Sequence, residues 1–200
     1  MRDENLQLNP ILFRRNLYRF GQIMAYEISK HLDYIPLEVT TQLGVADCKK
    51  LRDQVVLGTI MRAGLPMHDG MLSFLDEAEN AFISAFRHHH KDGTFEISIE
   101  YISSPALDGK VLIICDPMLA TGSSMVKALK ALLDYGRPRS IHIASVIAST
   151  AGLEYVGIEF PDATIWVGDE DEELTGRSYI VPGLGDAGDL AYGKKPVEED

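Results

Sequence analysis

What this sequence lacks narrows it quickly. It has only two cysteines, Cys48 and Cys115, far apart and in no metal-ligand spacing. Two reduced thiols are therefore expected, not a disulfide framework or a cysteine-ligated zinc site. It is short of positive charge: 19 Lys and Arg against 30 Asp and Glu leave a net charge of −11. Proteins whose main partner is nucleic acid usually carry a basic face, so that class is disfavoured. No apolar stretch reaches the ~20 residues that a membrane-spanning helix needs. The opening Met1-Arg2-Asp3-Glu4-Asn5 lacks the apolar core of a signal peptide, so the cytoplasm is the expected location. There is no internal repeat and no low-complexity tract, and only the tail from residue 193 to 200 reads as loose.

What is present suits one globular domain. The chain has 200 residues, 46% of them hydrophobic, which is enough to bury a core without metals or disulfides. Residues 11–32 read as an amphipathic helix with Ile11, Leu12, Leu17, Phe20, Ile23, Met24 and Ile28 favouring one face. Residues 55–60 and 80–86 read as short strands. Residues 95–101 alternate apolar and polar, the pattern of a half-exposed antiparallel strand, as in a hairpin arm. Val111-Leu112-Ile113-Ile114-Cys115 has no polar break and reads as a central strand buried on both faces. A helix over 124–135 follows, with Met125, Ala128, Leu129 and Leu132 inward. Strands at 141–148 and 163–167 flank a helix near 151–158. This alternation predicts an α/β fold, an open and mainly parallel sheet with helices on both sides. In such sheets ligands bind at the carboxyl ends of the strands, here after Ile60, Cys115 and Val167.

Three loops carry chemistry. In the first, the buried strand delivers Asp116, then Pro117-Met118-Leu119-Ala120-Thr121-Gly122-Ser123-Ser124, then a helix. Asp116 can accept hydrogen bonds from ribose hydroxyls, and Gly122 permits positive φ and close approach to a phosphate. Thr121, Ser123 and Ser124 add hydroxyls, and the unpaired N–H groups of the first helical turn face the anion. The lysine and spacing of an ATPase P-loop are absent. The bland alternative is a strand–turn–helix with Ser124 as N-cap. In the second loop, residues 179–189 hold three glycines and a proline, which reads as a shaped loop, not a helix or strand. A freed backbone there can read the donor–acceptor edge of a small flat base; the alternative is a glycine-rich surface turn. In the third, Arg62-Ala63-Gly64 follows a strand, where an arginine can clamp a diphosphate.

The Asp-Pro-Met-Leu-Ala-Thr-Gly segment resembles the PRPP-binding motif of type I phosphoribosyltransferases, where PRPP is 5-phospho-α-D-ribosyl diphosphate. Its form is similar to that of the uracil-specific branch, which shares the single acid of Asp116-Pro117 where most of the superfamily carries two adjacent acids. Ser123 stands where glycine is common, which is tolerable if its φ is negative. The segment 179–189 resembles the uracil loop of uracil phosphoribosyltransferases nearly residue for residue. Arg62-Ala63-Gly64-Leu65 resembles the family's pyrophosphate loop, which often holds a strained or cis peptide. The similarity runs from about Phe13 to Gly193 and includes Ala25-Tyr26-Glu27 and Val39-Thr40-Thr41-Gln42-Leu43-Gly44. Relatives usually have a further segment ahead of the position of Met1.

The resemblance implies transfer of a phosphoribosyl group from PRPP to uracil, giving UMP and pyrophosphate. It places PRPP on Arg62, Ala63, Gly64, Arg87, Asp116, Met118, Leu119, Ala120, Thr121, Gly122, Ser123, Ser124 and Asp186. Uracil falls on Tyr179, Ile180, Gly185, Asp186 and Ala187. Asp186, Arg62, Arg87 and Asp116 are the expected catalytic set. Mg²⁺ is expected to ride in on the diphosphate without direct protein ligands. GTP is a candidate effector, and a homodimer or homotetramer is the expected assembly. The domain is expected to span residues 1–193, with hood or arm elements at about 87–103 and 169–193 and a flexible acidic tail at 194–200. Where relatives carry acids after the arginine, this chain has His88-His89-His90-Lys91. Adjacent side chains do not share a face, so a solvated basic loop is expected there in preference to a metal site. Rival readings on the same fold are a PRPP-sensing regulator, a purine or orotate enzyme, and an inactive paralogue. The acidic charge and the single acid at 116 weigh against the first two.

Overall fold

A computed structural model describes residues 1–89 and 95–194, and side chains outside 86–97. The chain opens with a four-residue helix α1 (Glu4–Gln7) and the long helix α2 (Pro10–Ser29), capped by Asn9, whose Oδ1 accepts from the Ile11 and Leu12 amides. A ribbon of β1 (Tyr34–Thr40) and β2 (Val45–Leu51) follows, then β3 (Val55–Met61), α3 (Leu65–Leu72), β4 (Glu79–His89) and β5 (Phe95–Ser103). Next come β6 (Val111–Cys115), the two-residue β7 (Met118–Leu119), α4 (Ser123–Leu132), a 3₁₀ turn (Leu133–Tyr135), β8 (Ser140–Ser149) and α5 (Thr150–Glu159). The chain closes with β9 (Thr164–Asp171), the short pair β10 (Glu173–Leu174) and β11 (Ile180–Val181), and α6 (Ala187–Tyr192).

The main sheet runs in the order β5-β4-β3-β6-β8-β7, with β9 on the other side of β8. Every pairing is parallel except that of β5 with β4. The unbroken apolar runs explain why the sheet can be covered on both faces. Successive residues of a strand point to opposite sides. Val55 and Leu57 of β3 and Val111, Ile113 and Cys115 of β6 enter one core with α2 and α3. Val56, Leu112 and Ile114 enter the other, against α4. Burying one such aliphatic side chain is worth about 1.5–3 kcal/mol, so these two strands alone anchor the scaffold.

The expected strands and helices all form. The inward face of α4 is as read, with Met125, Ala128, Leu129 and Leu132 buried. That of α2 is corrected: Ile11 and Ile23 are 73% and 62% exposed, and Phe13, Leu17, Met24, Ala25 and Ile28 are the buried set. The apolar residues of α2 cover more than one stripe, and packing on α3 selects between them. Segment 95–103 is antiparallel as expected, but it lies along β4 at the sheet edge. The separate projecting ribbon is β1–β2, whose seven pairs run from Tyr34–Leu51 to Thr40–Val45. Among the described residues no helix is long and apolar enough to cross a membrane. Residues 195–200, most of the acidic tail, and His90 and Lys91 lie outside the described residues, as do the side chains of Arg87, His88 and His89.

Candidate active site

The site is built on the carboxyl ends of β3 and β6, which are neighbours in the sheet. At the end of β6 the Asp116 amide bonds Ala144 O at 3.1 Å, fixing the exit from the strand. The Asp116 carboxylate accepts from the Met118 amide at 3.3 Å. Met118 and Leu119 pair in β7 with Ile147 and Ala148, so the loop returns to the sheet before the helix begins. Gly122 then caps α4 with φ of 75°. A Cβ there would lie 2.9 Å from Gly152 O and from a Val156 methyl, so glycine is required both by the turn and by the approach of α5. The expectation that Ser123 keeps negative φ holds, because it is the first residue of α4 and Ser178 is the one non-glycine residue of positive φ among the described residues.

The alternative of a Ser124 N-cap does not hold. The cap is Gly122, and no side chain bonds the first turn as a cap. The Ser123 amide meets only the Thr121 hydroxyl, at 3.3 Å. The first turn of α4 thus faces the loop with donors available and the positive end of the helix dipole behind them. Asp116, Met118, Leu119, Ala120, Thr121, Gly122, Ser124 and Met125 line a pocket of about 50 Å³. One water needs roughly 10–15 Å³ on that measure, so the space suits a group of phosphate size.

At the end of β3 the peptide Met61–Arg62 is cis, in the loop where the resemblance allowed one. Gly64 is pressed against the strand: a Cβ there would lie 2.2 Å from Thr59 Oγ1 and 3.1 Å from Cys115 O. The Arg62-Ala63-Gly64 turn therefore sits beside the end of β6. Cys115 Sγ donates to Gly64 O at 3.9 Å, and complete burial pushes its thiol up to about 12. It stays protonated and packs as a small apolar side chain. Arg62 is half-buried, with Nη2 donating to Asp189 Oδ1 at 3.3 Å and Gly193 O at 3.1 Å. Its Nε is a buried donor with no hydrogen-bond partner among the described residues.

Segment 179–189 is more regular than its composition suggests. Ile180 and Val181 pair with Leu174 and Glu173 in β11, and Ala187 begins α6. Ile180, Leu184 and Ala187 are each 3% exposed and belong to the same core as Ala120, with Met118 packed against it. Gly185 and Asp186 between them face solvent. Asp186 caps α6 by accepting from the Asp189 amide at 2.9 Å. Tyr179 is 40% exposed and its amide bonds Thr175 Oγ1. The Arg62–Asp189 bond ties this segment to the end of β3, so the three loops meet.

Several supporting residues escaped the sequence reading. Ser149 caps α5 through the Gly152 amide at 2.9 Å and donates to Ala120 O at 2.6 Å. Its signal was present, a serine before a helix after an apolar run. Asp189, to which the sequence assigns no role, accepts a hydrogen bond from Arg62. Arg2 had no local signal at all. No group of three or more His, Cys, Asp or Glu that could hold a metal occurs among the described residues.

Comparison with known proteins identifies the family. A sequence model of the family described as uracil phosphoribosyltransferase matches residues 1–194. The chain is 55% identical over 196 residues to a protein named uracil phosphoribosyltransferase from Porphyromonas gingivalis, covering 98% of this chain and 91% of that one. It is 41% identical over 192 residues to one of the same name from Methanothermobacter thermautotrophicus, covering 94% and 86%. A solved protein of Aquifex aeolicus superposes with a TM-score of 0.87 at 32% identity, covering 96% of this chain and 89% of that one. A purine phosphoribosyltransferase from Pyrococcus horikoshii, at a TM-score of 0.52 and 15% identity over 78% and 83% of the two chains, shares the fold alone. Loops, fold and relatives together place this chain in the uracil phosphoribosyltransferase family, a family of pentosyltransferase enzymes.

Proposed function

We propose that this enzyme joins uracil to PRPP, giving UMP and pyrophosphate, with residues 116–124 holding the 5′-phosphate and ribose and residues 179–187 reading the base. The observation that carries the proposal is the uncapped first turn of α4 beside a pocket of phosphate size, within reach of the base segment through a common core. In the reaction the bond from the ribose anomeric carbon to the diphosphate breaks, the bonding pair leaving with the diphosphate, and N1 of uracil bonds that carbon and gives up its proton to solvent. Charge builds on the leaving diphosphate and the sugar passes through an oxocarbenium-like state, by analogy with glycosyl transfer.

The work of the protein is positioning and electrostatics. Asp116 accepts from the ribose hydroxyls. Thr121, Ser123, Ser124 and the backbone of residues 118–122 enclose the phosphate. Arg62, with the backbone of Ala63 and Gly64, takes the diphosphate, and its orphaned Nε supports that assignment. Arg87, whose side chain lies outside the described residues, joins it from the β4–β5 edge. Backbone groups of Ile180, Gly185 and Ala187 meet the uracil edge, with Tyr179 shaping the pocket and Asp186 beside the ribose. Rejection of cytosine follows from leaving buried polar groups unpaired.

Mg²⁺ would arrive on the diphosphate keeping several of its waters, so that the side chains of residues 116–124 remain on the ribose and phosphate. When bound, it neutralises part of the leaving charge. A cytoplasmic homodimer or homotetramer with GTP as effector completes the proposal, with size-exclusion chromatography and titration with GTP as its tests.

The deciding experiment mixes the protein with PRPP, Mg²⁺ and, in turn, uracil, cytosine, hypoxanthine, guanine and orotate, and follows pyrophosphate. Release with uracil alone, yielding UMP, is the expected result. Release with a purine or orotate overturns the reading of 179–189. Silence with every base while PRPP binds favours a PRPP sensor or an inactive paralogue.

A further inference from the structure

The base segment is tethered by a residue far from it in sequence. Arg2 forms a two-pronged pair with Asp171, Nη1 to Oδ2 at 2.8 Å and Nη2 to Oδ1 at 3.1 Å. The same guanidinium reaches Asp169 Oδ2 at 2.8 Å and Gly183 O at 3.3 Å. Asp171 Oδ2 in turn accepts from the Gly183 amide at 2.8 Å. Both polar groups of Gly183 are therefore held, its N–H by the carboxylate and its C=O by the arginine. Gly183 itself sits at φ of 59°. One residue on, Leu184 O accepts from the Gln7 amide at 2.8 Å in the orientation that satisfies that side chain.

Apolar burial cannot do this work alone. Ile180 and Leu184 anchor the two ends of the turn in the core, but hydrophobic contact is non-directional and leaves the rotation of the intervening peptides open. On the outer side the turn borders a cleft of about 230 Å³ lined by Met1, Arg2, Phe20, Val146, Gly168 and Leu184, among others. What orients the two peptides that flank Gly183 is the Arg2–Asp171 fork, which is planar and specific in direction.

We infer that Arg2 is a positioning residue for uracil recognition, acting through Asp171 and Gly183 to set the backbone of residues 183–185. It touches no substrate. The inference rests on the reading of residues 180–187 as the base-binding segment. A donor displaced by about 1 Å weakens recognition strongly, and the loss falls on uracil, because the hydrogen bonds of Arg2, Asp171 and Gly183 among the described residues run between residues 2, 169, 171 and 183 and not to residues 117–125.

The test is steady-state kinetics of Arg2→Ala and Arg2→Lys with both substrates varied. Arg2→Ala is expected to raise KM for uracil roughly tenfold, with KM for PRPP changed less than about twofold. Arg2→Lys restores the charge without the fork and is expected to fall between. Equal rises in both KM values, or no rise for uracil, overturn the inference. Should Arg2→Ala fail to fold, the same comparison is made on Arg2→Lys, and a wild-type KM for uracil there overturns it. Hydrogen exchange at the Gly183 amide in the substrate-free protein gives a readout independent of activity. Faster exchange in the variant is expected; unchanged exchange overturns the tether. If the wild-type enzyme turns over no uracil while exchange responds, the base-loop reading fails and the tether stands.

Discussion

The two loops that meet at this site are held in opposite ways. Residues 116–124 are positioned by their own strand and helix and by the next helix along: Gly122 is wedged against Gly152 and Val156, and Ala120 O is held by Ser149. Residues 180–187 are held by partners at the far end of the chain, Arg2 and Gln7, and by Arg62 through Asp189. On the proposed assignment the difference has a reason: a phosphate is the same in every phosphoribosyl transfer and can be met by a welded backbone, whereas a base must be told from other bases by a segment that a few directional bonds can set more finely.

The sharpest way to break this contrast is Gly122→Ala. Positive φ costs a non-glycine residue about 1–3 kcal/mol, and the added Cβ meets the Gly152 carbonyl at 2.9 Å. We expect kcat/KM for PRPP to fall roughly a hundredfold, read by initial rates, as the loop shifts by fractions of an ångström. Next in size is Ser149→Ala, which removes a helix cap worth about 0.5–2 kcal/mol and the buried donor to Ala120 O. Thermal unfolding should report a lowered Tm, accompanied by a higher KM for PRPP and an unaltered KM for uracil.

A milder effect belongs to the scaffold under both loops. Burial lowers the pKa of His68, outweighing the nearby Asp69, and burial together with His31 lowers that of His142, whose Nδ1 accepts from Trp166 Nε1 at 3.1 Å. Below the ordinary histidine value of 6.5 the unfolded chain then binds more protons than the folded one, so stability falls as pH falls. Tm should drop by a few degrees between about pH 7 and pH 5, and His68→Met should remove part of that drop. The smallest expected effect is that of Asp189→Asn. Its bond to Arg62 is partly exposed, and such pairs contribute about 0–1 kcal/mol. KM values should change less than about threefold; a larger rise for uracil alone would show that the Arg62–Asp189 bond sets residues 180–187 as strongly as the Arg2 network does.

Much of this was legible in the residues. The run 111–115 announced a strand buried on both faces, because nothing in it could face water. The order acid, Gly-containing loop, helix after it announced the turn and small pocket at the end of β6, because each part works through its own backbone. The inward face of α4 followed from spacing alone. The face of α2 did not: Ile11 and Ile23 are as apolar as Leu17, and only the position of α3 decides which stripe is covered. The β1–β2 ribbon was missed because most of its residues are exposed, so it lacks the alternation that marks a half-buried strand. Residues 180–181 and 187–189 were read as loop because their glycines mask two short regular pieces whose partners lie elsewhere.

By itself the sequence determined the elements whose geometry is local: strands fixed by apolar runs, a helix start fixed by Gly122, and a turn made possible by Gly64. Tertiary structure alone decided which distant groups meet, Arg2 with Asp171 and Gly183, Arg62 with Asp189, and Ser149 with Ala120. The physical reason is range. Backbone preference and side-chain periodicity act over a few residues, whereas a hydrogen bond across 181 residues, as from Arg2 to Gly183, exists only after the sheet and its helices have brought its two ends together.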